Sequence, residues 1–333
     1  MAGRNQRIFY ACQAVIIVGE GAAPAAAGVV KGLQSVGMNS NFTLDQVFEL
    51  GQLDIYETIE DVADVEVSLE KVIDGAKLIF DLASSGACKT DLVTASKNKC
   101  DVYVAIFDDG VSNATGTPRN VCWNSGMYTS SVSYSYSIDG SATESVTLVG
   151  NDRFWNAIAN ETSTTANTKW GSTNHTAVFD GTDVPKSGVV RRNNVDLSAS
   201  TLPAIVKEQK GDKSGDNNFH IQSISVSTDM GQENILELGR FAPYHRYASF
   251  PIEVTCEFEV IATSGDLQTV SGNGTNLSNG TIIIKDTAGT VLNLGTKNKL
   301  SSVSYSGGDT GGGNATVSYS FSNFNSLLVN GGS

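Results

Sequence analysis

The sequence predicts a mainly β protein made of two tandem, related domains, and three observations carry this prediction. Ser, Thr, Asn, Gly and Val are favoured in the 333-residue chain, a mixture that suits strands joined by tight turns. Apolar and polar residues alternate in several short segments, as they do in half-buried strands. A long segment is also repeated, because 33–51 (LQSVGMNSNFTLDQVFELG) aligns without a gap with 221–239 (IQSISVSTDMGQENILELG) at a spacing of 188 residues.

The repeat extends beyond this first segment. EVSLE at 66–70 aligns with EVTCE at 253–257 at a spacing of 187, and SSVSYS occurs both at 130–135 and at 301–306, at a spacing of 171. A fixed internal similarity of this length indicates a duplicated structural unit. We therefore expect both copies to contain the same strands.

The spacing falls along the chain, which locates a difference between the copies. The first copy holds 187 − 171 = 16 more residues than the second between Glu70 and Ser130. We place the excess in 77–99, where apolar residues recur at intervals of three and four and predict one or two short helices. The domains are accordingly a first copy at 1–151 flanked by short helices, a polar, loop-rich insertion at 152–215 and a second copy at 216–333.

The N-terminal apolar run has two interpretations. Arg4 and Arg7 precede it, as in a signal peptide, but AVIIV at 14–18 resembles LPAIV at 202–206 at the same spacing of 188. We predict a first strand here. Further strands are predicted at 101–107, 129–138 and 144–149 in the first copy and at 281–285, 300–306 and 315–321 in the second.

Alternation in the repeated strands assigns their two faces. Val65, Val67 and Leu69 point to one side and Glu66 and Glu70 to the other. In the second copy the predicted inward residues are Ile252, Val254, Cys256, Phe258 and Val260. The alignment places Glu66 on Glu253 and Glu70 on Glu257, so that the same sheet face is acidic in both copies.

Composition argues against several functional classes. The net charge is −13 and the pI is near 4.6, which disfavours binding to nucleic acid phosphates. The five cysteines show no CxxC or zinc spacing and are predicted to be buried free thiols, and the three histidines lie far apart. Motifs for a nucleophile elbow, a phosphate-binding loop or a zinc protease are absent from the sequence. We expect no catalytic activity, no cofactor and no metal.

Three segments resemble the tail tube (major tail) proteins of tailed bacteriophages. They are 32–75, 237–266 and the C-terminal segment that begins GTIIIKDTAGTVLNLG. The resemblance implies a β-sandwich or barrel with a flanking helix, whose subunits join edge to edge into rings that stack around a channel for the genome. Six such domains usually make a ring, so a chain with two domains would form trimeric rings of pseudo-sixfold symmetry.

The resemblance also suggests roles for charged residues. On this interpretation the acidic sheet face lines the channel, and ring-to-ring contacts use the loops 58–64 and 244–250. The expected lumen-lining residues are Glu66, Glu70, Glu253, Glu257 and Glu259. The expected inter-ring residues are Glu60, Asp61, Asp64, His245 and Arg246.

The partners expected from the resemblance are mostly further copies of the chain. A tape-measure protein and passing DNA would occupy the lumen, terminator and baseplate proteins would bind the tube ends, and a sheath around the tube is left open. The chain would then reside in the virion tail after assembly in the bacterial cytoplasm, without contact to a membrane. The alternative is a secreted or surface-displayed β-sandwich that acts as an adhesin or glycan-binding module.

Overall fold

The computed structural model describes residues 7–22, 24–108, 118–157, 188–209, 219–273, 277–308, 310 and 312–331. It is mainly β, which confirms the predicted fold class. The described strands are β1 (Gln13–Gly19), β2 (Leu33–Asn41), β3 (Leu44–Phe48), β4 (Ile55–Glu60), β5 (Asp64–Val72), β6 (Lys99–Ile106), β7 (Asn120–Ser137), β8 (Thr143–Gly150), β9 (Asp152–Ala157), β10 (Ile221–Asp229), β11 (Gln232–Ile235), β12 (His245–Ala248), β13 (Glu253–Ile261), β14 (Ile283–Lys285), β15 (Val291–Asn293), β16 (Lys299–Ser306), β17 (Thr316–Phe324) and β18 (Leu328–Asn330). The described α-helices are α1 (Ile79–Ala83), α2 (Leu92–Lys97) and α3 (Ala204–Glu208).

The main sheet contains two sets of four strands in one continuous antiparallel order. The order is β2-β5-β8-β7 and then β10-β13-β17-β16, and we call these the first and second strand sets. The sets meet where β7 pairs with β10. In the described part of the chain this sheet does not close on itself, because β2 and β16 each have a single paired neighbour.

Strand pairing shows which positions of the two sets are equivalent. Ser35 lies opposite Glu70 in β2–β5, and Ser223 lies opposite Glu259 in β10–β13. Glu70 therefore corresponds to Glu259 at a spacing of 189, whereas the sequence alignment put it on Glu257 at 187. The alignment was wrong by two residues because a strand repeats its apolar pattern every two residues, so that such a shift costs no match. The facing of each side chain is unaffected.

Irregularities in the sheet recur at equivalent positions in both sets. The register shifts at Leu33/Ser35 in β2–β5 and at Ile221/Ser223 in β10–β13. It shifts again at Thr129/Ser131 in β7–β8 and at Leu300/Ser302 in β16–β17. These pairs give spacings of 188 for β2/β10 and 171 for β7/β16. The ladders of β8 and β17 differ by 173, because Leu148 faces Thr129 as Phe321 faces Leu300.

A second layer covers one face of the main sheet and encloses a shared core. Over the first set it consists of β1, β6 and β9, which pair around the first half of β7, together with α1 and α2. Over the second set it is the small sheet β14-β15-β18. The predicted inward residues are buried in this core, including Val67 and Val254 at 0% exposure. Each set is therefore one layer of a β-sandwich, because the apolar face of each strand is buried against the second layer.

Helix α1 is attached to the sheet through a buried carboxylate. The Ile79 and Phe80 backbone N–H groups donate to Glu144 at 2.6 and 3.1 Å, and the Tyr134 hydroxyl donates to it at 3.0 Å. Complete burial raises the pKa of Glu144, and these donors and Lys71 oppose that rise. The carboxylate thus satisfies backbone groups at the start of the helix that have no partner within it.

The local predictions for the first copy are confirmed. The N-terminal run forms strand β1, and 77–99 contains α1, α2 and a short 3₁₀ helix. The LPAIV segment, in contrast, leads into α3, so its similarity to β1 is not structural. Within the predicted insertion, 158–187 and 210–215 lie outside the described residues, and Asp152–Ala157 pairs with β7. The domain boundaries remain a prediction.

The assignment of strand faces predicts the effect of charge on each face. We expect Val254→Asp to destabilise the fold by roughly 4 kcal/mol or more, because it places a carboxylate in the apolar core without a partner. Ser227→Asp on the same sheet, which is exposed on the other face, should stay within about 0.5 kcal/mol of the parent. Thermal denaturation measures both, and equal effects would contradict the assignment.

Candidate assembly surfaces

The uncovered face of the main sheet is polar and acidic. Serines dominate it, with Ser133 and Ser135 of β7 facing Ser227 and Ser225 of β10 across the centre. Its carboxylates are Asp64, Glu66, Glu70, Asp229, Glu253, Glu257 and Glu259. This row includes all five residues that the sequence assigned to the lumen.

Cations are scarce on the eight strands of the main sheet. These strands contain two, Lys71 and Lys299. Lys71 points into the core, where its ammonium lies 3.4 Å from Asp74 and donates to the Lys77 carbonyl at 2.8 Å. Lys299 is exposed and faces Ser322 at the β16 edge. The uncovered face therefore carries a net negative field over most of its width.

The junction between β7 and β10 is a continuous antiparallel ladder. Pairs run from Ser223 opposite Ser137 to Asp229 opposite Ser131. The Met230 N–H extends the ladder by donating to the Ser130 carbonyl at 2.7 Å. On the core side the ladder brings Val226 against Tyr134, both buried. The two sets are thus joined by backbone hydrogen bonds and by shared core contacts.

The hairpin that connects β10 to β13 of the second set also docks on the first set. Hairpin β11–β12 follows β10, and its Arg246 is almost fully buried against the end of β8. The guanidinium donates to the Asp64 carboxylate, to Asn151 at 3.2 Å and to the Gly150 carbonyl at 3.3 Å. This arginine satisfies groups from two strands of the other set, which fixes the angle of the hairpin.

Further polar contacts hold this hairpin. His245 Nδ1 lies 3.1 Å from the Tyr128 hydroxyl, with the rings edge to face at 5.6 Å. The Gln232 amide donates to the carbonyls of Ser96 at 2.9 Å and Thr129 at 3.0 Å. We call the contacts of β11–β12 with the first set the hairpin dock.

The equivalent hairpin of the first set, β3–β4, is exposed. All residues of both its strands are solvent-exposed. At its tip Leu50 and Leu53 are fully exposed, and so is Leu238, the residue equivalent to Leu50 in the second set. Exposed apolar surface of this extent is typical of an interaction site. These tips were not predicted from the sequence, although both copies carry the tripeptide ELG there, at 49–51 and 237–239.

The residues predicted for inter-ring contacts lie in two different settings. Glu60 and Asp61 are exposed at the base of hairpin β3–β4. Asp64, His245 and Arg246 come together within the chain at the hairpin dock. Their role between rings stays a prediction.

The described residues contain no group of three or more His, Cys, Asp or Glu side chains arranged to hold a metal ion. No described helix has the length and apolar character of a membrane span. All five cysteines are free and buried, and burial raises the pKa of the Cys88 thiol to about 12 and of the Cys122 thiol to about 11.

Comparisons with known proteins do not assign the chain to a family. No protein-family model matches the chain, and no curated protein matches it. Among solved structures, a chain from the cryo-EM structure of the anti-feeding prophage baseplate, six-fold symmetrised, is similar at 11% identity and a TM-score of 0.32. The match covers 46% of this chain and 98% of that one. A TM-score this low does not establish a common fold.

The hairpin dock predicts a large effect for one of two arginines. Arg246→Ala should destabilise the protein by about 2 kcal/mol and increase hydrogen exchange across 232–248, because the buried Gly150 carbonyl and the side chains of Asn151 and Asp64 lose a charged donor. Arg240→Ala is the matched control, since Arg240 makes an exposed pair with Glu237 at 3.7 Å and should cost less than about 0.5 kcal/mol. Equal exchange in the two variants would show that Arg246 does not hold the hairpin.

Proposed function

We propose that this chain is a structural virion protein that assembles with copies of itself into stacked rings, forming the tail tube of a bacteriophage and the conduit for DNA ejection. The observation that carries the proposal is the junction between the strand sets. One chain already joins two equivalent four-strand units edge to edge, through β7 and β10. The strands equivalent to these two, β16 and β2 respectively, have an unpaired edge at the two ends of the sheet.

Unpaired edges favour addition of further chains. An exposed strand edge presents free N–H and C=O groups that pair with another chain unless they are blocked. A further copy placed as the second set is placed on the first would pair its β2 with β16. Repetition of a head-to-tail contact gives either a ring or an open filament, and a ring leaves no edge unpaired.

The width of such a ring supports a channel. Three chains would contribute 3 × 8 = 24 strands of the main sheet. At about 4.8 Å between strands, the perimeter is roughly 115 Å for upright strands and roughly 150 Å for strands tilted by about 40°. The backbone diameter is then roughly 40–50 Å, which leaves room for a DNA duplex after the side chains are included.

The charge of the uncovered face suits passage of DNA. The sandwich layers and helices cover the other face, so the acidic face would line the channel. Carboxylates repel phosphates, whereas a basic lining would retain DNA by releasing its counterions. Glu66, Glu70, Glu253, Glu257 and Glu259 would then keep the genome mobile.

The other expected roles follow from the tube. The tape-measure protein and DNA would occupy the lumen, terminator and baseplate proteins would cap the ends, and the exposed hairpin tips would face the next ring. The role is structural and requires no catalytic residue, cofactor or metal. The chain would assemble in the bacterial cytoplasm and reside in the virion tail.

Electron microscopy of the purified, untagged protein tests the proposal. We expect hollow rings or tubes whose end-on class averages show three-fold symmetry around a nearly six-fold lumen. Six-fold rings with one chain in each position would retain the tube and exclude the trimer. Monomers at every concentration would contradict the tube and favour the alternative of a β-sandwich adhesin or glycan-binding module.

The lumen assignment predicts a gain of DNA binding. Replacing Glu70, Glu257 and Glu259 by Lys should make assembled tubes retain linear duplex DNA, with a retention that falls steeply as salt is added. The same three positions changed to Gln are the control, because they lose the carboxylates without gaining cations. Tubes of the Lys variant that retain no more DNA than the Gln variant would place these residues outside the lumen.

A further inference from the structure

We infer that neighbouring chains join in a defined register, with Asn39 of one chain opposite Ser304 of the next, and that an ion pair between Glu57 and Lys299 locks this contact. The inference rests on the proposed function, because it specifies how the ring contacts are made. It follows from applying the junction inside one chain to the free edges at its two ends.

The register is obtained from the equivalent positions of the two strand sets. Positions in β10 correspond to β2 at a spacing of 188, and positions in β7 correspond to β16 at 171. Inside the chain Ser227 lies opposite Ser133. Subtracting 188 from 227 gives Asn39, and adding 171 to 133 gives Ser304.

The same operation predicts which pairs of the new ladder lie close together. The Met230 N–H bonds the Ser130 carbonyl and the Ile138 N–H bonds the Gln222 carbonyl, so the uncovered-face pairs of β7–β10 are the non-hydrogen-bonded ones. Such pairs have Cα atoms about 4.5 Å apart, within the range of a disulfide. Asn39 and Ser304 inherit this geometry.

The core side of the new ladder would bury side chains that are now exposed. Tyr305 is 53% exposed at the β16 edge, whereas its equivalent Tyr134 is buried against Val226. In the inferred register Tyr305 lies opposite Met38, which is the equivalent of Val226. An aromatic side chain on an open edge therefore gains the apolar neighbour that its counterpart already has.

The hairpin dock provides an independent argument. Hairpin β3–β4 would dock on the next chain as β11–β12 docks on the first set. His245 contacts Tyr128 in the chain, and the equivalent residues are Glu57 (245 − 188) and Lys299 (128 + 171). Both residues differ between the two copies, an imidazole and a phenol in one and a carboxylate and an ammonium in the other, and both Glu57 and Lys299 are exposed.

A second pair at the dock has also changed on both sides. Gln232 donates to the Thr129 carbonyl in the chain, and the equivalents are Leu44 and Leu300. Leu300 borders a groove of about 320 Å³ whose apolar lining includes Ile205, Leu267, Leu277 and Phe321. In the inferred contact the exposed Leu44 enters this apolar groove, whereas its equivalent Gln232 donates hydrogen bonds to backbone carbonyls.

Exposure of the residue before hairpin β3–β4 agrees with these pairs. Met230, whose N–H bonds Ser130, is fully buried, while its equivalent Phe42 is 71% exposed. In the inferred contact Phe42 would lie beside Ser301 of the next chain. A large apolar side chain would then be covered by the neighbour.

These changes separate the two junctions chemically. A junction within the chain uses Tyr128 and His245, and a junction between chains uses Lys299 and Glu57. Wrong combinations leave a charge without its partner, which disfavours pairing of β2 with β2 or of β16 with β16. The ion pair would thus select head-to-tail addition.

Paired cysteines test the register in the full chain. We expect a variant with Asn39→Cys and Ser304→Cys to form covalent oligomers up to the closed ring on non-reducing gels after mild oxidation. Asn39→Cys combined with Ser302→Cys or Ser306→Cys, each two residues out of register on the same face, should give at least tenfold less product. The five native cysteines are buried, so they should contribute little background cross-linking.

Charge reversal tests the ion pair. Glu57→Lys or Lys299→Glu alone should raise the concentration required for assembly at least tenfold, and the double variant should restore assembly. Asp139→Lys, an equal change of charge in the exposed β7–β8 turn, should have little effect.

The outcomes separate this inference from the proposed function. Rings that form normally but cross-link best through 302 or 306, or whose assembly is not rescued by the double reversal, would overturn the register or the ion pair and leave the tube intact. Failure of the unmodified chain to assemble would overturn the proposed function and this inference with it.

Discussion

The hydrogen-bond ladder between β7 and β10 is the interaction on which the rest of the structure depends. It turns two four-strand sets into one sheet, and it places Val226 against Tyr134 so that both sets share a core. It also positions hairpin β11–β12 beside β8, where Arg246 finds its acceptors. Because the ladder uses one edge of each set, it leaves the other edge, β2 or β16, without a paired neighbour. The proposed assembly would use these two edges.

Much of this architecture could be predicted from the sequence, because strand alternation and internal repetition are local signals. Val67 and Val254 were assigned to the core from period-two patterning alone. A change in repeat spacing located the extra residues of the first copy, and apolar residues at intervals of three and four predicted their helices. The sequence predicted the alignment of equivalent strand positions less well. Glu70 was aligned two residues away from its structural equivalent, Glu259, because patterning fixes the face of a strand but not its offset along a neighbour.

The contacts at the hairpin dock could not be predicted, since they join residues that are distant in the sequence. Asp64 was expected in a contact between rings, and the structure pairs it with Arg246 of the same chain. The sequence shows that Asp64 is a carboxylate that can pair with a cation, but it does not show which cation the fold places beside it. The exposed tip at Leu50 was visible in the sequence only as an apolar residue in a turn, where its lack of cover depends on the fold.

The covalent link between the two sets has a kinetic consequence. In a trimeric ring half of the six junctions would form within single chains, at an effective concentration set by the connecting segment rather than by the amount of protein. Those junctions carry no translational entropy cost during assembly, so two encounters between chains bring the three chains of a ring together, and the third junction between chains then closes within the assembled trimer. Gene fusion would therefore lower the molecularity of nucleation, and it would free the two kinds of junction to diverge in sequence.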